Sequence, residues 1–239
     1  FEARHPDIDM IGEYHGSIQV MRHVTEMHEE IDIVATADRS LVPLLMYQVH
    51  MPGTEQPYAS WYLSMATNRL GIAYRPDSAY ADEINAGNWY EILARPDVRL
   101  GLSDPRFDPV GYRALMIFAL AQDYYAEPGI FGRIVHGQFR YPLQYHDRDG
   151  HYVLRIPEIL ETTQDAHIAV RGSSVGLIAL LQAGEVDYAF EYESVIRQHG
   201  FEYLALPDAL NLGDPAYADS YGRATVEMDF RRFATVNPV

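Results

Sequence analysis

Two acidic positions hold most of the chemistry this chain can offer. Asp108 stands before Pro109, at the head of an apolar run from Tyr112 to Tyr125 that reads as a helix. It follows Val98-Arg-Leu-Gly-Leu102, which reads as a buried strand. An Asp in front of a Pro at the first helical position can cap the free N–H groups of Val110 and Gly111. The same helix start suits an anion, because unpaired N–H donors coincide with the positive end of the helix dipole. The second is a stretch, Val186-Asp-Tyr-Ala-Phe-Glu-Tyr-Glu193, whose acids are Asp187, Glu191 and Glu193. Taken alone, Asp108 reads as an N-cap and Glu191 as a strand residue paired with an arginine such as Arg113 or Arg197. A carboxylate pair across a cleft can also do general acid–base work, and a retaining glycosidase would set such a pair about 5–5.5 Å apart. The 18 Tyr and two Trp would then serve as sugar platforms.

Other clusters point to less. His23 and His28 lack carboxylates at the spacing of a metal motif and read as surface histidines. His146, Asp147, Asp149 and His151 crowd together, and a solvated hairpin turn accounts for them better than a metal site does. Gly172-Ser-Ser precedes a helix pattern but lacks the lysine of a phosphate-binding loop. The chain has no Cys, which excludes disulfides, thiol nucleophiles and thiolate metal sites.

The elements that must position these residues alternate along the chain. Its 239 residues are 48% hydrophobic, enough for a packed core, and no apolar run approaches a membrane span. Strand patterns occur at Ile8–Gly12, Ile31–Thr36, Thr67–Tyr74, Val98–Leu102, His167–Val170, Val186–Tyr192 and Phe201–Leu206, with a looser one at Tyr221–Phe230. Helical patterns lie between them. One has Ile18, Met21, Val24 and Met27 on its apolar face and Ser17 as its cap, and another spans Asp38–Tyr47. A third covers Ala79–Ala94, and one follows Arg171-Gly-Ser-Ser and is ended by Gly184. Residues Gly129–Gly150 read as a loop with one short helix or hairpin. This alternation predicts an α/β protein with mainly parallel sheets, two sheets joined by crossing strands fitting the length better than one. The net charge of −16, with no Lys, argues against a nucleic-acid partner. Phe1-Glu-Ala-Arg-His-Pro6 reads as the last turn of a helix, so a preceding strand and helix are expected upstream.

The chain resembles the archaeal-type tungstate/molybdate-binding proteins of ABC transporters. The resemblance rests on Gly16-Ser-Ile-Gln-Val-Met-Arg22, Ile31-Asp-Ile-Val-Ala-Thr-Ala-Asp38 and Trp61-Tyr-Leu-Ser-Met-Ala-Thr-Asn68. It continues through Asn88–Arg99, Asp108-Pro-Val-Gly-Tyr-Arg113, Asp187–Val195 and Gln198–Tyr203, in the family's order over nearly the whole chain. It implies a two-lobed type II periplasmic-binding-protein fold with a ligand cleft between the lobes. Lobe one would be residues 1–68 and 196–239, and lobe two residues 69–195 including both crossing segments.

By the same resemblance the protein is no enzyme. It would bind tungstate or molybdate, use no cofactor, and deliver the anion to a membrane permease from outside the cytoplasm, as a monomer when full length. Asp108 and Glu191 would coordinate the metal directly and complete six ligands. Thr36 and Ser17 would hydrogen-bond the oxyanion, and the N–H groups of Val110 and Gly111 would compensate its oxo groups. Thr36 on its own reads equally as a β-branched residue ending a strand. The family begins with a further strand and a Gly-Ser turn that also touches the anion, and it continues past Val239. A different oxyanion or small solute remains the alternative ligand class.

Overall fold

The computed structural model describes residues 1–228. Strands are β1 (Leu70–Tyr74), β2 (Leu100–Ser103), β3 (Gln144–Arg148), β4 (His151–Arg155), β5 (Ile168–Arg171), β6 (Tyr188–Tyr192), β7 (Glu202–Ala205) and β8 (Ala224–Glu227). Helices are α1 (Ser17–Thr25), α2 (Trp89–Leu93), α3 (Pro109–Tyr124), α4 (Ile130–Val135), α5 (Ser174–Ala183), α6 (Glu193–Gln198) and α7 (Ala218–Tyr221). Five strands form one sheet in the order β5-β2-β6-β1-β7, and three form another in the order β3-β4-β8.

The middle strands β2, β6 and β1 are buried on both faces, which is why they read as unbroken apolar runs. Alternate residues serve opposite layers. Leu100, Leu102, Ile72 and Phe190 face a core built with α2 and α3, where Trp89 packs on Phe118 and Phe190. Ala73 and Val186 face α5 and α6 through Leu181 and Ile196. Burying each such large apolar side chain contributes roughly 1.5–3 kcal/mol. On the α5 face, Gly101 leaves room for Leu177 and Val186.

The mainly parallel sheets expected are in fact mixed. β2 runs parallel to β5 and β6, and β4 to β8, while β1–β6, β1–β7 and β3–β4 are antiparallel. The β3–β4 hairpin turns through Asp149 and Gly150, both at positive φ (54° and 78°), with the Gly150 N–H donating to Asp147 Oδ1 at 2.8 Å. It is therefore a solvated turn that gathers His146, Asp147, Asp149 and His151, as the sequence suggests.

Segment 1–68 departs furthest from expectation. It contains no strand: Ile8–Gly12 and Ile31–Thr36 are irregular, and Ile33 is 80% exposed. A strand needs a neighbour to pair with, and no described segment lies beside these two in a ladder. Instead Ile18, Met21 and Val24 of α1 pack on Leu41, Val42 and Met46, joined by Tyr112 from α3. Met27 is exposed because α1 ends at Thr25, and within Asp38–Tyr47 residues 41–47 are helical, the last five, Pro43–Tyr47, as a π-helical turn. β7 pairs with β1 and β8 with β4, so both belong to the sheets that hold 69–195. Residues 229–239 lie outside the described residues.

Candidate functional site

The carboxyl ends of the parallel strands β2, β5 and β6 point to one edge of the large sheet, and helices α3 and α5 begin there on its opposite faces. Crevices at such strand ends are where open α/β sheets characteristically hold ligands. The turn after β2 is fixed by the Asp104 N–H to the Arg171 carbonyl (2.7 Å) and the Asp108 N–H to the Asp104 carbonyl (3.0 Å). Gly111 is essential to it, because a Cβ there would lie 2.1 Å from the Ser103 carbonyl oxygen.

Asp108 is buried and ties two helix starts together. Its Oδ1 accepts the Val110 N–H of α3 and its Oδ2 accepts the Ser174 N–H of α5, each at 2.9 Å. Burial raises its pKa, against the pull of those two N–H groups and Arg113. The N-cap reading of Asp108 is thus correct as far as it goes. It also means that the Val110 N–H is engaged, and Gly111 N–H donates to the Asp108 carbonyl at 3.1 Å. Both N–H groups, expected to face the oxo groups of an anion, therefore have partners inside the cap.

Glu191 is fully buried at the end of β6. Its Oε1 accepts the Tyr192 N–H at 2.8 Å, and its Oε2 has no hydrogen-bond partner among the described residues. Neither arginine considered for it is its partner. Arg197 bonds Glu193 at 2.8 Å, and Arg113 pairs with Asp38 at 3.2 Å. Burial pushes Glu191 up to about 7, with the nearby Ser174 hydroxyl and the Tyr192 N–H acting against it and the Asp108 charge adding to it. Ser174 therefore stands between the two acids, its N–H on one and its hydroxyl beside the other.

Segment 1–68 closes over this edge. Gly16, rather than Ser17, caps α1, and a Cβ on it would lie 2.5 Å from the Phe107 carbonyl oxygen. The Ser17 hydroxyl accepts the Ala37 N–H at 3.0 Å, so its own proton is free to turn toward a ligand. Thr36 Oγ1 makes two long contacts, 3.2 Å each, to the Asp38 N–H and carbonyl. Arg113 of α3 reaches Ala37 O (3.1 Å), Asp38 and the Tyr192 hydroxyl (2.5 Å), while the Tyr112 hydroxyl donates to Asp38 Oδ2 (2.5 Å). Burial works against ionising Asp38, yet Arg113, Tyr112 and Ser40 hold its pKa below the usual value. Burial pushes the Tyr192 hydroxyl up to about 12, with Arg113 opposing.

The bacterial extracellular solute-binding protein family matches residues 1–225. The chain belongs to that family. An uncharacterized solute-binding protein of Methanococcus maripaludis is 37% identical over 226 residues, covering 95% of this chain and 65% of that protein. Molybdate/tungstate-binding proteins of Thermococcus kodakarensis and Pyrococcus abyssi are 39% and 38% identical over 215 residues, each covering 89% of this chain. The matches cover 56% and 58% of those two proteins. The chain thus spans less than two thirds of the length of these curated relatives.

Asp108, Glu191, Ser17 and Thr36 lie on elements that meet at one edge of the sheet. Ser174, Asp38, Tyr112 and Tyr192 join them through hydrogen bonds that no local sequence pattern marks. Ser174 was legible as the start of a helix after β5, but which acid its N–H would serve depends on bringing residues 66 positions apart together. Asp38 carried no local signal of its pairing with Arg113.

Proposed function

We propose that this chain is the anion-holding part of an extracytoplasmic solute-binding protein that captures tungstate or molybdate. The whole protein would deliver that anion to the permease of an ABC transporter. The observation that carries the reading is Glu191, a fully buried carboxyl group with one unpartnered oxygen, beside Asp108 and paired with no arginine among the described salt bridges.

Two carboxylates there disfavour sulfate or phosphate. Unit charges about 4 Å apart repel by about 4 kcal/mol at an effective dielectric of 20. The same oxygens suit a hard metal(VI) centre that can expand from four ligands to six, which the sulfur of sulfate does not do at accessible cost. Coordination number then discriminates between anions of equal charge. Each Asp108 oxygen keeps a second lone pair after its N–H bond, and Glu191 Oε2 keeps both of its own. Hydroxyl donors from Ser17, Thr36 and Ser174 would meet the oxo groups, in place of the engaged Val110 and Gly111 N–H groups.

Ser17 and Thr36 come from segment 1–68, while Asp108 and Glu191 come from the sheet body. A ligand touching both favours the closed arrangement over an open one, which is how binding drives closure. The names of the Thermococcus and Pyrococcus relatives support the choice of anion. No helix of the described residues is long and apolar enough to cross a membrane, and the family's extracellular description supports placement outside the cytoplasm. The reading includes no catalysis and no cofactor.

Titration calorimetry with tungstate, molybdate and sulfate tests it. One site per chain for tungstate or molybdate and no heat with sulfate is the expected result. Equal binding of sulfate, or turnover of a chromogenic glycoside, would overturn it.

A further inference from the structure

A second cluster of ligating side chains lies on segment 1–68, on residues the anion site does not use. Glu13, His15 and His23 offer ligand atoms that all lie within 4.8 Å of one another. Glu29 stands outside that set but next to it, its Oε2 3.1 Å from His23 Nδ1. The turn after α1 brings it there. His28 adopts a positive φ of 59°, and the Glu29 N–H donates back to the His23 carbonyl at 3.0 Å. Glu13 Oε2 approaches the same His23 nitrogen at 3.9 Å, and the His15 ring sits 4.9 Å from the His23 ring.

One ring nitrogen can donate one proton to one carboxylate. Here two carboxylates converge on His23 Nδ1 with a second imidazole alongside, and no arginine pairs with either acid among the described salt bridges. A proton satisfies only part of this set. A divalent cation would satisfy all of it, taking a lone pair from each imidazole and neutralising both carboxylates.

We propose that Glu13, His15, His23 and Glu29 form a site for a divalent transition-metal ion of the zinc type. Two imidazoles and two carboxylate oxygens are a four-ligand set that zinc accepts, whereas magnesium and calcium favour oxygen alone. Ligand atoms around a tetrahedral zinc with bonds of about 2.0–2.1 Å lie about 3.3 Å apart. The present set must therefore draw in, which side-chain rotation permits because Glu13 is 62% exposed at its side chain and Glu29 36%. The sequence did not reveal the site because its ligands fall at positions 13, 15, 23 and 29, a spacing no short motif shares. An ion here would join the segment before α1 to the turn after it and so stiffen the part of 1–68 that carries Ser17.

The test uses chelator-stripped protein titrated with zinc by calorimetry and with cobalt(II) by visible absorption. Saturable binding of one zinc and a tetrahedral cobalt spectrum are expected. Exposed His15→Asn and half-buried His23→Gln are each expected to weaken zinc by at least tenfold, with the melting profile of the metal-free protein unchanged by His15→Asn. Absence of saturable zinc binding would overturn the proposal. So would affinity unaltered by His15→Asn, or equal affinity for magnesium.

Discussion

At the scale of single residues, the two acids make separable predictions. Asp108→Asn and Glu191→Gln keep shape and one acceptor oxygen but remove the negative charge that a metal(VI) ligand supplies. Each is expected to weaken tungstate binding by more than tenfold, or ~1.4 kcal/mol, in calorimetric titrations. Unchanged or improved affinity in either would refute carboxylate coordination. The pH dependence follows from Glu191, whose pKa rises to about 7 from an ordinary value near 4.5, with burial as the main cause. Between those two pH values the folded state holds a proton that the unfolded chain has lost. Its contribution to stability is therefore fully present below the unfolded pKa and is lost as pH rises through the folded one. The loss is about 3 kcal/mol, following from ~1.4 kcal/mol per pKa unit. Urea unfolding midpoints of the ligand-free protein should fall from pH 4.5 to 7 on this account, and Glu191→Gln should flatten the trend. Below pH 7 the anion must also displace that proton, so heats of tungstate binding should vary with the ionisation enthalpy of the buffer.

At the scale of elements, the junction of β2 with α3 is the least forgiving place in the fold. Gly111 lets the first turn of α3 rest on the Ser103 carbonyl, and backbone on both sides leaves no flexible group to move aside. Gly111→Ala is expected to destabilise the protein by about 3 kcal/mol, since forced overpacking costs roughly 1–3 kcal/mol and more where backbone must shift. A denaturant midpoint unchanged from the parent protein would contradict this. Elements whose signal is local were legible in the sequence. Pro109 and Asp108 marked the start of α3, and Gly184, at φ 74°, marked the end of α5. The sheet strands showed as apolar runs because both of their faces are covered. Ile31–Thr36 misled because an apolar β-branched run reports burial potential only, while a strand also requires a partner that no local pattern can specify. The Arg113–Asp38 pair was invisible for the same reason, its members lying 75 positions apart.

At the scale of the whole molecule, segment 1–68 leaves much apolar surface in water. Ile11, Ile33, Leu63 and Met65 are each at least 79% exposed, and Trp61 is 70% exposed. Surfaces of this kind associate, while the net charge of −16 opposes association by repulsion that salt screens. The chain of these residues alone is expected to self-associate more strongly in 1 M than in 0.05 M salt, as read by light scattering on a sizing column. A monomer at both salt concentrations would show that the apolar surface is harmless. Residues 60–69 are exposed at every position and form no regular structure, and they are the covalent link from segment 1–68 to β1. A protease cutting there would leave two polypeptides, one with Ser17 and Thr36 and the other with Asp108, Glu191 and Ser174, each carrying part of the proposed oxyanion site. The oxyanion would then act as molecular glue, and its capture could be followed as the rejoining of two separate chains.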